Sequence, residues 1–118
     1  MARILLADDD AAARDLVARA LGSDGHTVDS TQDGIEALER LGAHDYQLLV
    51  TDLQMPGLDG VSLSTRALAA SPTLRIVLMS GFASELDRAA GIAPGRLSVI
   101  SKPFTLEQIR SAIRAALA

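Results

Sequence analysis

Five short strand-like segments alternate with stretches of helical periodicity, and this alternation constrains the fold more than any other feature of the sequence. The segments cover residues 3–7, 27–30, 47–51, 75–79 and 97–100. Short apolar or β-branched runs bounded by Gly, Pro, Asp or Ser are typical of strands. Strands that alternate with helices pair in parallel through right-handed crossovers. The pattern therefore predicts an α/β protein, a three-layer α/β/α sandwich around a doubly wound five-stranded parallel sheet with strand order 2-1-3-4-5.

The intervening stretches predict five helices. Their expected bounds are Ala11 to Leu21, Asp33 to about Leu41, Asp59 to near Ser71, Ser84 to Ala90, and a last helix that opens at the capping box Thr105–Gln108. Asp10, Asp33 and Asp59 are expected N-caps. Gly22 and Gly25 are expected to end the first helix. The inner faces of the first and last helices are expected to carry apolar residues at helical spacing, namely Leu16, Val17, Ala20 and Leu21 in the first and Leu106, Ile109, Ile113 and Leu117 in the last.

Length and charge narrow the class of protein. A chain of 118 residues, 48% hydrophobic and 22% charged, predicts a single domain over residues 1–118. There is no cysteine, which fits the reducing cytoplasm. No apolar run reaches the roughly 18 residues of a membrane span, so no membrane insertion is expected. A net charge of -4 argues against a nucleic-acid surface and favours a cation site.

Polar side chains follow the predicted strands at the ends where the strands stop. Asp8 and Asp9 follow the first strand, Asp52 ends the third, Ser80 ends the fourth and Lys102 follows the fifth. The carboxyl ends of parallel strands share one edge of the sheet, and ligands bind there at the switch in strand order. These five side chains are therefore expected to converge on one cleft. Lys102 is the only lysine among eleven basic residues.

This set of residues predicts phosphoryl chemistry. Neighbouring carboxylates about 4 Å apart repel by roughly 4 kcal/mol per pair at an effective dielectric near 20, so a divalent cation is expected. Mg²⁺ prefers oxygen ligands, and Asp8, Asp9, Asp52 and a backbone carbonyl would supply them. Lysine and hydroxyl groups bind phosphoryl oxygens. We therefore expect Asp52 to accept a phosphoryl group that Lys102 and Ser80 then hold.

Four segments resemble the receiver domain of bacterial two-component response regulators, and the resemblance covers the whole chain. Residues 4–10 are similar to the acid pair of the family's first strand, 51–60 to its phosphorylation loop, 79–81 to its hydroxyl switch and 101–104 to its lysine-proline corner. The resemblance implies a flavodoxin/CheY-like fold and a cis bond between Lys102 and Pro103.

The same resemblance implies the roles of the site residues. Asp8, Asp9, Asp52 and the backbone carbonyl of Gln54 would hold Mg²⁺. Asp52 would be phosphorylated by a histidine kinase or histidine phosphotransferase, and the phosphorylation state would switch a protein partner. Such a protein is not an enzyme beyond its own phosphorylation and dephosphorylation.

Three segments narrow the resemblance. The opening Met1–Ala7, the run Ser80–Ala83 and the Pro-containing stretch before Ser101 look most like a stand-alone receiver that serves as a phosphorylation-controlled adaptor for the ClpXP protease. One position departs from the family. Val99 stands where most receivers carry Tyr or Phe, so we do not expect a ring to rotate with phosphorylation.

Two other readings use the same residues. A phosphatase of the haloacid dehalogenase type also forms an aspartyl phosphate with magnesium and a lysine. Its first-strand signature, Asp-x-Asp-x-Thr, is not matched after Asp10, and its nucleophile would be Asp8, which leaves the segment after Asp52 unexplained. A degenerate receiver that serves only as a binding scaffold is the third reading, but all five site residues are present. The receiver is therefore the favoured hypothesis.

Overall fold

Five strands and five helices alternate within residues 2–118. The computed structural model describes residues 2–118, at the level of the backbone alone for residues 83, 88 and 90. The elements are β1 (Arg3–Ala7), α1 (Ala11–Ser23), β2 (Thr27–Thr31), α2 (Gly34–Ala43), β3 (Leu48–Asp52), α3 (Gly60–Ala70), β4 (Arg75–Ser80), α4 (Ala83–Ala90), β5 (Leu97–Ser101) and α5 (Leu106–Leu117). All neighbouring strands pair in parallel in the order β2-β1-β3-β4-β5, which confirms the predicted topology.

Helices cover both faces of the sheet. Successive strand residues point to opposite faces, so each strand contributes side chains to both helix–sheet interfaces. Leu49 packs on one face with residues of α2, α3 and α4, whereas Leu48 and Val50 pack on the other with residues of α1 and α5. All three of these β3 side chains are fully buried. The predicted sandwich of helix, sheet and helix layers is therefore confirmed.

Four predicted caps hold helix N-termini. The carboxylate of Asp10 accepts hydrogen bonds from the amides of Ala12 and Ala13 at the start of α1. Asp33 and Asp59 accept from the third helical amides of α2 and α3. Thr105 and Gln108 form the complete capping box of α5. These contacts satisfy backbone donors that the first helical turn leaves without partners.

Two predicted inner residues and one predicted helix end are wrong. Leu16 is 53% exposed and Leu106 is 38% exposed, because the buried stripes of α1 and α5 are formed by their neighbours. The buried residues are Val17, Ala20 and Leu21 in α1 and Ile109 and Ile113 in α5. Gly22 does not end α1, which continues to Ser23. The expected turn at Gly25 is observed, with a φ of 91°.

Two strands end on the polar residues that were expected to end them. β3 ends on Asp52 and β4 on Ser80, so both polar residues are still held in the hydrogen-bonded ladder of the sheet. This fixes their backbones at the carboxyl edge. Within residues 2–118, no helix has the length and apolar character needed to cross a membrane.

Candidate functional site

Three carboxylates meet at the carboxyl edge of the sheet. One oxygen each from Asp8, Asp9 and Asp52 lies within 4.8 Å of the other two. Asp8 is buried, Asp52 is half-buried and Asp9 is exposed. Asp8 and Asp52 come together because β1 and β3 are adjacent in the sheet although the chain reaches β3 only after β2. The predicted convergence of these acids is therefore observed.

Backbone contacts hold the buried acid in place. The Oδ1 atom of Asp8 accepts a hydrogen bond of 3.0 Å from the amide of Asp10, and the amide of Asp8 donates to the carbonyl of Thr31 at 3.2 Å. The Nη1 atom of Arg14 donates to the Asp8 carbonyl at 2.8 Å. The sequence analysis did not single out Arg14; its place one turn into α1, on the side of the acid pair, is the signal that could have found it.

Lys102 lies between two of the carboxylates. Its Nζ atom is 3.3 Å from Oδ2 of Asp8 and 3.4 Å from Oδ2 of Asp52. Its own amide donates to the carbonyl of Ser80 at 2.8 Å, which ties the residue after β5 to the end of β4. The peptide bond from Lys102 to Pro103 is cis, as expected. The only lysine of the chain is thus directed into the acidic cluster.

Burial and neighbouring charges shift the pKa values of Asp52 and Lys102. Burial raises the pKa of the Asp52 carboxyl, the Lys102 ammonium opposes that change and the Asp8 carboxylate adds to it, so that the pKa lies above its ordinary value. Burial alone would lower the pKa of Lys102, but Asp52 and Asp8 outweigh it and the pKa is raised. Lys102 therefore stays charged, and Asp52 is a more basic carboxylate than an exposed aspartate. Perturbed carboxyl groups of this kind concentrate at functional sites.

Ser80 is buried at the end of β4 but its hydroxyl is not bonded to the acidic cluster. It donates to Oε2 of Glu85 at 3.2 Å and accepts from the amide of Phe82 at 3.0 Å. The other carboxylate oxygen of Glu85 accepts from the side-chain amide of Gln54 at 3.0 Å. The sequence analysis missed Glu85, because its only sequence signal is an acidic residue in the first turn of a short helix.

The loop after Asp52 depends on a close approach at Gly60. The amide of Gly60 donates to the carbonyl of Leu53 at 2.8 Å. A Cβ atom at position 60 would collide with the Asp52 carbonyl oxygen and would lie 2.8 Å from the Cα of Leu53. The loop from β3 to α3 can therefore fold back onto the end of β3 only because position 60 has no side chain.

The donor set fits a hard divalent cation. Asp8, Asp9 and Asp52 offer carboxylate oxygens at one point, and oxygen ligands of this kind suit Mg²⁺. Within residues 2–118, no hydrogen bond to the backbone carbonyl of Gln54 is observed, so that oxygen is available as a further donor. Only Lys102 balances the charge of these acids in the described contacts.

The sequence profile of the response regulator receiver domain matches residues 4–114. The chain belongs to this family. The resemblance drawn from the motifs is therefore confirmed.

Individual relatives agree with this assignment. The response regulator receiver protein CpdR of Brucella abortus is 39% identical over 109 residues, which cover 92% of this receiver and 91% of CpdR. The response regulator MprA of Mycobacterium ulcerans is 36% identical over 98% of this receiver, which spans half the length of MprA. The chemotaxis protein CheY4 of Vibrio cholerae has the same fold, with a TM-score of 0.89 and 25% identity over 99% of both chains.

Proposed function

We propose that this receiver takes a phosphoryl group onto Asp52 from a histidine kinase or a histidine phosphotransferase. The observation that supports the proposal best is the position of the Lys102 ammonium, 3.3 and 3.4 Å from the carboxylates of Asp8 and Asp52. A cation held there balances a buried nucleophile and is close enough to bind the anionic product.

The transfer uses the carboxylate of Asp52 as the nucleophile. An Oδ atom attacks the phosphorus of a phosphohistidine, the P–O bond forms, the P–N bond breaks, and the imidazole leaves with the bond's electron pair and takes up a proton. Lys102 pairs with the oxygens of the group now on Asp52. The Ser80 hydroxyl breaks its hydrogen bond to Glu85 and donates a hydrogen bond to one of those oxygens instead.

We propose Asp8, Asp9, Asp52 and the Gln54 backbone carbonyl as the residues that hold Mg²⁺. When bound, the ion neutralises negative charge on the transferring phosphoryl oxygens. Asp8 is preset for this role by its bond from the Asp10 amide. Asp9, being exposed, leaves the site open to solvent.

We propose that phosphorylation switches a protein–protein interaction, with residues 1–118 acting as one cytoplasmic receiver domain. The match to CpdR over 91% of that protein supports an output of the adaptor kind, with the ClpXP protease as the candidate partner. The proposed activity is limited to self-phosphorylation from small phosphodonors and autodephosphorylation.

The test is Asp52→Asn, in which the amide keeps the shape of the side chain but cannot act as the nucleophile. After treatment with phosphoramidate and Mg²⁺, mass spectrometry should show one phosphoryl group on the wild-type chain and none on the variant. Asp15→Asn, at an exposed position in α1, is the matched control and should label like wild type. Labelling of Asp52→Asn would place the acceptor elsewhere, an unlabelled wild type would favour a scaffold, and turnover of a small phosphoester would favour a phosphatase.

A further inference from the structure

The hydroxyl of Ser80 links the phosphoryl site to the first turn of α4. A serine hydroxyl has one proton to donate. Here the acceptor is Oε2 of Glu85, since an ionised carboxylate cannot donate. The same oxygen of Ser80 accepts from the Phe82 amide. The one proton with which Ser80 would bind a phosphoryl oxygen is therefore already donated to Glu85 in this structure.

The N-terminus of α4 is capped in an unusual way. Phe82 occupies the N-cap position, and its side chain forms no capping hydrogen bond. Glu85 is the third helical residue. In a capping box, a glutamate at this position accepts directly from the N-cap amide. In this receiver the Ser80 hydroxyl stands between them, because it accepts from the Phe82 amide and donates to Glu85.

We infer that Glu85 is a positioning residue, which keeps the Ser80 hydroxyl bonded to α4 and turned away from Asp52. Phosphorylation of Asp52 then offers that hydroxyl a competing acceptor. The inference rests on the proposed phosphorylation of Asp52. When Ser80 turns to the phosphoryl group, the Phe82 amide and the Oε2 atom of Glu85 both lose their partner and can bond to each other. The Ser80–Glu85 hydrogen bond thus stabilises the state in which Ser80 contacts α4 over the state in which it contacts the phosphoryl group. A stronger bond shifts the equilibrium between these two states towards the first.

Gln54 gives Glu85 a second connection to the site. Its side-chain amide donates to Oε1 of Glu85, while Gln54 itself lies two residues after Asp52. The carboxylate is therefore held in place from the β3–α3 loop as well as from β4. A carboxylate fixed by two donors stays aligned with the Ser80 hydroxyl, whereas an unbonded exposed glutamate would rotate among its rotamers.

The experiment measures the affinity of the Mg²⁺-loaded protein for beryllofluoride, which takes the place of the phosphoryl group on Asp52. The readout is the amide NMR signal of Gly81 during titration. Glu85→Ala should bind beryllofluoride about tenfold more tightly than wild type, because the competing charged hydrogen bond is gone. Glu85→Gln should fall between the two, since a neutral carbonyl oxygen is a weaker acceptor and keeps the side-chain shape.

Two comparisons separate this role from general effects of charge or helix stability. In the Ser80→Ala background, Glu85→Ala should leave the affinity unchanged, whereas an electrostatic effect on the bound anion would persist there. Asp87→Ala, which removes an exposed charge from the same helix, should bind like wild type.

The outcomes distinguish this inference from the function on which it rests. A wild-type protein that does not bind beryllofluoride at Asp52 overturns both. Wild-type binding with equal or weaker binding by Glu85→Ala and Glu85→Gln overturns the role of Glu85 alone. A tighter affinity that survives in the Ser80→Ala background overturns it as well.

Discussion

At the scale of single residues, one polar cluster stabilises the sheet away from the phosphoryl site. Tyr46, the only tyrosine of the chain, is buried and donates its hydroxyl to Oδ2 of Asp29 at 2.6 Å. The guanidinium of Arg3 lies 5.2 Å from the centre of the Tyr46 ring and 3.4 Å from the same carboxylate oxygen. The hydrogen bond from Tyr46, followed by the charge of Arg3, holds the pKa of Asp29 below its ordinary value of 3.8.

We predict that Tyr46→Phe is destabilising in a pH-dependent way. A carboxyl group with a lowered folded-state pKa stabilises the fold above its unfolded pKa, and this stability is lost as the pH falls through the folded value. At pH 7 the variant should lose about 1 kcal/mol, the net value of one such hydrogen bond. The deficit should shrink below pH 3.8 as Asp29 protonates. Thermal unfolding of both proteins between pH 2 and 8 measures it.

The control for this prediction is a double-mutant cycle with Asp29→Asn. If Tyr46 acts through the charge on Asp29, Tyr46→Phe should have a smaller effect in that background and no acid dependence. A deficit that is constant from pH 2 to 8 in the wild-type background would mean that the ring's packing, rather than its hydroxyl, stabilises the protein.

Residue identities predicted most of the candidate site and some of the core. The acids, Ser80 and Lys102 were predictable because strand ends in a parallel sheet share an edge, whatever the details of packing. Glu85 was not, because its contacts with Ser80 and Gln54 depend on how α4 packs. Val17 was predicted correctly, but its neighbour Leu16 was not. Adjacent helix positions lie about 100° apart, and only tertiary structure decides how far round the helix the buried face extends.

At the scale of elements, the loop from β3 to α3 is set by a backbone contact. We predict that Gly60→Ala costs about 2 kcal/mol, since the methyl group would overpack against the Asp52 carbonyl, which the strand holds rigid. It should also slow phosphoryl transfer to Asp52, because displacing the end of β3 moves the nucleophile. Chemical denaturation and the rate of phosphoramidate labelling measure the two effects.

The control is the same substitution in a helix with open space around it. A Cβ at Gly22, inside α1, meets nothing within 4 Å. Gly22→Ala should therefore stabilise the protein by roughly 0.5–1 kcal/mol through helix propensity and leave the labelling rate unchanged. Equal stability changes for the two variants would show that the close approach of position 60 to the Asp52 carbonyl does not affect stability.

Element bounds were predicted more closely than element faces. The expected bounds of β2 and β5 were one residue short, because Thr31 and Ser101 do not continue the strand pattern although their backbones still pair. Helix ends were predictable where a cap gives a local signal, as at Thr105. They were not where the helix continues through a glycine, as at Gly22, because packing of the preceding turn outweighs the glycine's helix penalty.

At the scale of the whole molecule, the acidic cluster links metal binding to global stability. A ligand bound only by the folded state stabilises it, and Mg²⁺ at ten times its Kd would contribute about 1.4 kcal/mol. For a protein of this size that raises the Tm by roughly 6 °C. We predict this shift for wild type on adding Mg²⁺ and its reversal on adding a chelator, both measured by calorimetry.

Asp9→Ala should lose most of this Mg²⁺ response while keeping the fold, because Asp9 is exposed and its removal creates no cavity. Asp45→Ala, which removes an exposed charge outside the cluster, should respond like wild type. If Asp9→Ala and wild type gained the same Tm on adding Mg²⁺, the ion would bind somewhere other than the cluster.

The single lysine has a practical consequence for anyone handling this protein. Lys102 carries the only side-chain amine, and that amine lies between Asp8 and Asp52. Reagents that acylate lysine therefore have one side-chain target, and a molecule acylated at Lys102 has lost the cation of its acidic cluster. Attaching the protein to a surface through its lysine would remove that cation from each molecule captured in this way. Because its amine lies in the cluster, the rate at which Lys102 is acylated would report whether a cation occupies the cluster.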